Sequence, residues 1–138
     1  MSDLYLIPVD KILAVMPDVQ PMLQPAIDLS DGRWDLWSVI GGLLSGQMQL
    51  WVSLNDGKPE AAMVTRVVDY PKLRVLSLPF LGGSGMRNWL KFEPQIMAFA
   101  KAHGCKEMEG YARLGFKRVL KGWIFSWSFM RRPLAGHS

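Results

Sequence analysis

Residues 73–90 read Leu73-Arg74-Val75-Leu76-Ser77-Leu78-Pro79-Phe80, then Leu81-Gly82-Gly83-Ser84-Gly85, then Met86-Arg87-Asn88-Trp89-Leu90. The first block is mostly apolar on both faces, as in a strand from the middle of a sheet. The glycines then form a turn. Beyond them Met86, Trp89, Leu90, Ile96, Met97 and Ala100 make one face of a helical region that Gly104 stops. Glu93-Pro94 is expected to split that region into two short helices, because proline disfavours helical geometry in the residue before it. Residues 105–109 are short enough for a further strand, and a helix between two strands of one sheet makes them parallel neighbours with a right-handed crossover. The unit marks an α/β domain.

Upstream, Met48, Leu50, Val52 and Leu54 alternate along a strand that ends at Asn55-Asp56-Gly57, a strong hairpin signal. The return strand is 61–68 and Asp69-Tyr70-Pro71-Lys72 turns the chain into the 73–80 strand, which completes an antiparallel meander. Before the meander, residues 4–9 read as a first strand, with Asp10 capping a helical turn. Pro17, Pro21 and Pro25 cannot all sit inside one regular helix, so a break is expected near Pro17, followed by a short helix with Val19, Met22, Leu23 and Ile27 inward. Residues 34–44 form a second helix on the spacing Trp34, Trp37, Ile40, Leu44, and Gly46 ends it. Residues 114–121 read as a last helix and 123–130 as a last strand. Residues 1–132 make one domain and 133–138 a flexible tail.

A chain of 138 residues with 49% apolar and 20% charged residues builds a core and is not a disordered segment. Its longest apolar runs fall far short of the roughly 20 residues of a membrane helix, and its N-terminus lacks the features of a secretory signal. The expected location is the cytoplasm. Cys105 is the single cysteine and only two histidines are present, which leaves no donor set for zinc. The net charge of +4 is spread thinly, with small concentrations at Lys117-Arg118-Lys121 and Arg131-Arg132. Basic and aromatic residues do not interleave on any one strand, so nucleic acid is not an expected partner. The six tryptophans fall at periodic apolar positions and read as core, with Trp34 and Trp37 also placed to wall a pocket.

The order of elements, strand, two helices, meander, glycine turn, helix, strand, short helix, strand, resembles the GNAT family of acetyl-coenzyme A-dependent N-acetyltransferases. Gly46-Gln47-Met48-Gln49-Leu50-Trp51-Val52, Val68-Asp69-Tyr70-Pro71 and Ala102-His103-Gly104-Cys105 look like the small GNAT-like proteins of bacteriophages. The resemblance implies a GNAT-like mixed sheet, with a meander plus a parallel strand-helix-strand unit. It also implies acetyl-CoA as cofactor, bound by Leu81, Gly82, Gly83, Ser84, Gly85 and Met86, because glycines let a pyrophosphate approach backbone N–H groups at a helix start. Gly83-Ser84-Gly85 matches the Gly-x-Gly of the family's Arg/Gln-x-x-Gly-x-Gly/Ala motif, but Phe80 stands where the family has Arg or Gln. The same glycines also serve a tight strand-to-helix turn with no ligand.

Tyr111-Ala112-Arg113-Leu114-Gly115-Phe116 is similar to the family's Tyr-x-Lys/Arg-x-Gly-Phe, whose tyrosine protonates the leaving thiolate. The preferred register instead equates Gly122-Trp123 with the family's Gly-Phe and leaves Tyr111 at the end of the fifth strand. Tyr111 as acid and Glu109 as proton relay are the catalytic candidates, with Trp34 and Trp37 lining the acceptor pocket. Strand 73–80 offers only Arg74 and Ser77, so it supplies no carboxylate base. The implied activity is transfer of an acetyl group to an amine. The alternative is an inactive GNAT-like phage protein with a virion or interaction role, located in a host cytoplasm or a virion and partnered by virion proteins or by further copies of itself.

Overall fold

Five strands, β1 (Ser2–Leu6), β2 (Met48–Asn55), β3 (Lys58–Asp69), β4 (Arg74–Gly83) and β5 (Glu107–Gly110), lie side by side in chain order. The first four are antiparallel and β5 runs parallel to β4. The computed structural model describes residues 2–30, 32–83, 86–110, 122–124 and 130–134, with backbone only at 86–89. The expected helix 114–121 and most of the expected strand 123–130 lie outside the described residues. No helix among those described is long and apolar enough to cross a membrane.

The hairpin turn forms as its residues demand, with Asp56 at φ 53° and Gly57 at φ 79°. α1 (Ile12–Asp28) and α2 (Leu36–Ser45) cover one face of the sheet, and α3 (Met86–Ala102) covers the other. Under α1 and α2 the even-numbered residues of β2 and β3, including Leu50, Val52, Ala62 and Val64, pack with Phe80 against Val19, Leu23, Ile27, Val39 and Leu43. Under α3 the odd-numbered Trp51 and Met63 pack with Leu76, Ile96 and Ala100. Each fully buried Leu, Ile or Val contributes about 1.5–3 kcal/mol through removal of apolar surface from water.

Two expectations about proline are corrected. α1 is one helix of 17 residues through Pro17, Pro21 and Pro25, and α3 runs unbroken through Pro94. All four prolines are exposed. The four-residue spacing puts the α1 prolines on a single solvent stripe, so the carbonyls four residues before each of them are hydrated instead of being left dry. Packing of Ile12, Met16, Val19, Leu23 and Ile27 on the other face outweighs the lost hydrogen bonds. In α3 the continuous phase buries Phe92, Ile96 and Ala100, and leaves Leu90 and Met97 exposed.

Asp10 lies inside a 3-10 turn (Val9–Lys11) and caps nothing. α2 has a true capping box: Ser38 N–H donates to Asp35 Oδ1 at 2.8 Å and Asp35 N–H donates to Ser38 Oγ at 3.0 Å. Gly46 ends this helix at φ 83°, as expected. Trp37, expected inside, is 76% exposed because Val39, Ile40 and Leu43 define the inward face.

α3 also reaches across the sheet to its far border. Lys91 Nζ donates to the Ser2 carbonyl oxygen at 2.9 Å and Gln95 Nε2 donates to that of Leu4 at 3.0 Å. The hydrogen-bonded pairing of Ile7 with Leu50 fixes the alternation, so these two carbonyls point away from β2.

Two carboxylates are held below the ordinary range: Asp35 by the Ser38 amide and hydroxyl, and Asp69 by Arg74, whose Nε and Nη2 donate to its two oxygens at 2.6 and 3.2 Å. A carboxylate lowered in the folded state adds stability above its unfolded pKa of about 3.9, and that stability is lost as pH falls through the folded value. The melting temperature is therefore expected to hold from neutrality to about pH 5 and fall below about pH 4. Asp69→Asn is expected to shallow this acid limb in melting curves taken across the range.

Candidate active site

The glycine segment is strand where a turn was expected. Leu81, Gly82 and Gly83 extend β4 and pair with Met63, Ala62 and Ala61 of β3. A Cβ on Gly82 would overlap the backbone carbonyl of Met22, because α1 crosses β4 at this point. Gly83 has φ 100°, and a Cβ there would come 2.5 Å from the Glu60 carbonyl oxygen. Contacts within the protein thus account for both glycines. Ser84 and Gly85 lie outside the described residues, and Met86 opens α3, whose first turn holds no acidic residue.

β4 carries an irregularity that sequence alone did not show. Val64 pairs with Phe80 and Arg66 with Ser77, so Thr65 on β3 faces two residues, Leu78 and Pro79, on β4. Such a bulge bends a strand and re-aims its backbone, and a proline is tolerated there because the ladder is already interrupted. A buried chain of hydrogen bonds fixes the opposing strand: Trp51 Nε1 donates to Thr65 Oγ1 at 3.0 Å and Thr65 Oγ1 donates to Gln49 Oε1 at 2.8 Å. The described pairing of β4 with β5 runs from Val75 with Glu107 to Leu78 with Gly110, up to the bulge.

Next to the bulge, three polar residues line up across three strands. Arg66 pairs with Ser77 and Ser77 with Glu109. Met108 packs under α3, so Glu109 projects to the opposite face, the one covered by α1 and α2. Tyr70, at the β3–β4 corner, donates its hydroxyl to Glu109 Oε2 at 3.2 Å. Over the same face, the Arg66 guanidinium lies 5.4 Å from the ring centroid of Trp34, and Trp34 meets Phe80 edge-on at 6.1 Å. Trp34 comes from the segment between α1 and α2, where the pocket wall was expected. Trp37 does not join it. Phe80 is 3% exposed, so the position where the family motif has Arg or Gln is a core position in this chain.

No family model and no curated protein sequence matches the chain. Solved structures do. It resembles a GCN5-related N-acetyltransferase from Ralstonia eutropha JMP134 with a TM-score of 0.68 at 16% identity, over 99% of this chain and 100% of that one. The chain has the GNAT fold. An aminoglycoside acetyltransferase from an uncultured soil metagenomic sample superposes with a TM-score of 0.74 at 10% identity, over 98% and 99% of the two chains. A predicted acetyltransferase from Clostridium acetobutylicum, solved with acetyl-CoA, gives 0.67 at 12% identity, over 99% of each chain.

Against the GNAT fold, the residues sort clearly. Glu109 and Trp34 both lie on the α1 and α2 face of the sheet. Tyr111 lies outside the described residues. Arg66 and Tyr70 were not singled out from sequence. The one available signal was a charged residue at an inward, even-numbered position of an otherwise apolar strand, but its neighbours appear only once the bulge sets the register.

Proposed function

We propose that the chain is a GNAT-type N-acyltransferase that takes its acyl group from acetyl-CoA and delivers it to an amine. The observation that supports this most is the β4 bulge, beside which Arg66, Ser77 and Glu109 line up across three strands and Trp34 meets Phe80 on the same face. The residues present suit the cofactor at the start of α3, where the first turn offers N–H groups without a repelling carboxylate. When bound, acetyl-CoA supplies an activated thioester: a nitrogen–carbon bond forms as the carbon–sulfur bond breaks, and the nitrogen sheds one proton as the departing thiolate takes one up.

The chain's own groups do the rest. Glu109 accepts the proton that an ammonium must lose before it can attack, and Tyr70 holds that carboxylate by its hydrogen bond. Trp34 and Phe80 exclude water from one wall and fix the approach of the amine. Backbone N–H groups around the bulge polarise the carbonyl under attack. Calorimetric titration of acetyl-CoA is expected to show saturable one-site binding, with thiol release that depends on added amine. Absence of binding at millimolar ligand would remove this reading.

A second reading rests on the burial of Phe80 at the motif position. In it the domain is catalytically silent and serves as an interaction protein, in a virion or in a self-assembly. That reading expects neither binding nor thiol release.

A further inference from the structure

Arg66 is the cation that the site leaves uncompensated. Its Nε is buried and makes no hydrogen bond, and among the described residues its guanidinium stacks on Trp34. The neighbouring Arg74 differs, since both oxygens of Asp69 engage it. Arg66 also borders a groove of about 600 Å³ with Gln49, Val67, Asp69, Arg74 and His103. That is the size of a small-molecule pocket. With Asp69 committed to Arg74, the net charge of the groove comes from Arg66.

A guanidinium stacked on an indole keeps its edge free, and that edge matches a carboxylate with two parallel N–H donors. Arg66 is half-buried, and leaving its Nε out of water with no acceptor is costly, a cost that stacking on the ring recovers only in part. The missing partner is an oxyanion. Its position relative to the reacting centre follows from the register: Arg66, Ser77 and Glu109 sit on three adjacent strands, which puts Arg66 and Glu109 about 10 Å apart at their Cα atoms. A small molecule can reach both.

We propose that Arg66 binds a carboxylate carried by the acceptor, so that the preferred acceptor is an amino acid whose amine and carboxylate are separated along a chain, and not a simple amine or a polycation. This rests on the acyltransferase reading for the fate of the amine, whereas the carboxylate site itself rests on Arg66 alone.

The test uses 6-aminohexanoate and pentylamine, which differ by the carboxylate. Calorimetry without acetyl-CoA is expected to show 6-aminohexanoate binding about 10- to 100-fold more tightly. Thiol release with acetyl-CoA should favour it by a similar factor in kcat/KM. Arg66→Gln should remove the difference in both assays. Arg66→Lys keeps the charge but loses the planar fork, and should retain only part of the preference; it also serves if Arg66→Gln proves unfolded by circular dichroism. Equal binding of the two compounds, or a preference that survives in a folded Arg66 variant, overturns the proposal even if acetyl-CoA is bound and used. An Arg66-dependent preference with no use of acetyl-CoA upholds the carboxylate site and rejects the acyltransferase.

Discussion

Replacing Gly82 by alanine is expected to lower the unfolding free energy by about 3 kcal/mol, although the change adds a single methyl group. That methyl would occupy the space of the Met22 carbonyl oxygen. A flexible side chain could swing aside, but a helix backbone packed through Val19, Leu23 and Ile27 cannot, so either α1 lifts from the sheet or β4 bends away from β3. Gly41 is the matched control, because a Cβ there meets nothing within 4 Å. Gly41→Ala should leave stability unchanged or raise it slightly through helix propensity. Urea unfolding of the three proteins reads the contrast. A loss for Gly82→Ala below about 1 kcal/mol would mean that α1 does not lie against β4 as described.

The largest effect on activity is expected from Glu109→Gln, with kcat falling about 10²- to 10⁴-fold. Glutamine keeps the shape and can still accept the Tyr70 hydroxyl proton, so folding and acetyl-CoA affinity should change little. What it cannot do is take a proton from an ammonium. The loss should therefore be smaller for acceptors that are already uncharged at the assay pH, such as hydroxylamine. A Glu109→Gln enzyme within about threefold of the parent, or one equally impaired on all acceptors, would assign proton removal to another group.

How legible was this chain before its structure? The antiparallel meander and the parallel pairing of β4 with β5 followed from alternation, from Asn55-Asp56-Gly57, and from a helix-length gap between two short strands. These are local signals, and the local physics survives in the fold. The prolines misled because sequence counts the missing N–H groups but not which side of the helix faces water. The glycines read as a turn but are strand, and Gly82 and Gly83 allow the close approach of Met22 and Glu60. Of the candidate site, Glu109 and Trp34 were named from the sequence and Arg66 was not, since its relation to Ser77 and Glu109 depends on a bulge that shifts the β3–β4 register by one residue. Ser84, Gly85 and Tyr111 belong to segments outside the described residues.

The two side chains that α3 extends to the far border of the sheet bear on how the chain is made. β1 and the meander precede α3 in the chain, so during synthesis a growing sheet displays the outward carbonyls of β1 to whatever strand is near. Only when the last turn of synthesis of 86–102 is over can Lys91 and Gln95 seal that border. The risk of strand addition by a foreign chain is thus confined to an interval before α3 docks, and the same helix that finishes the core ends it.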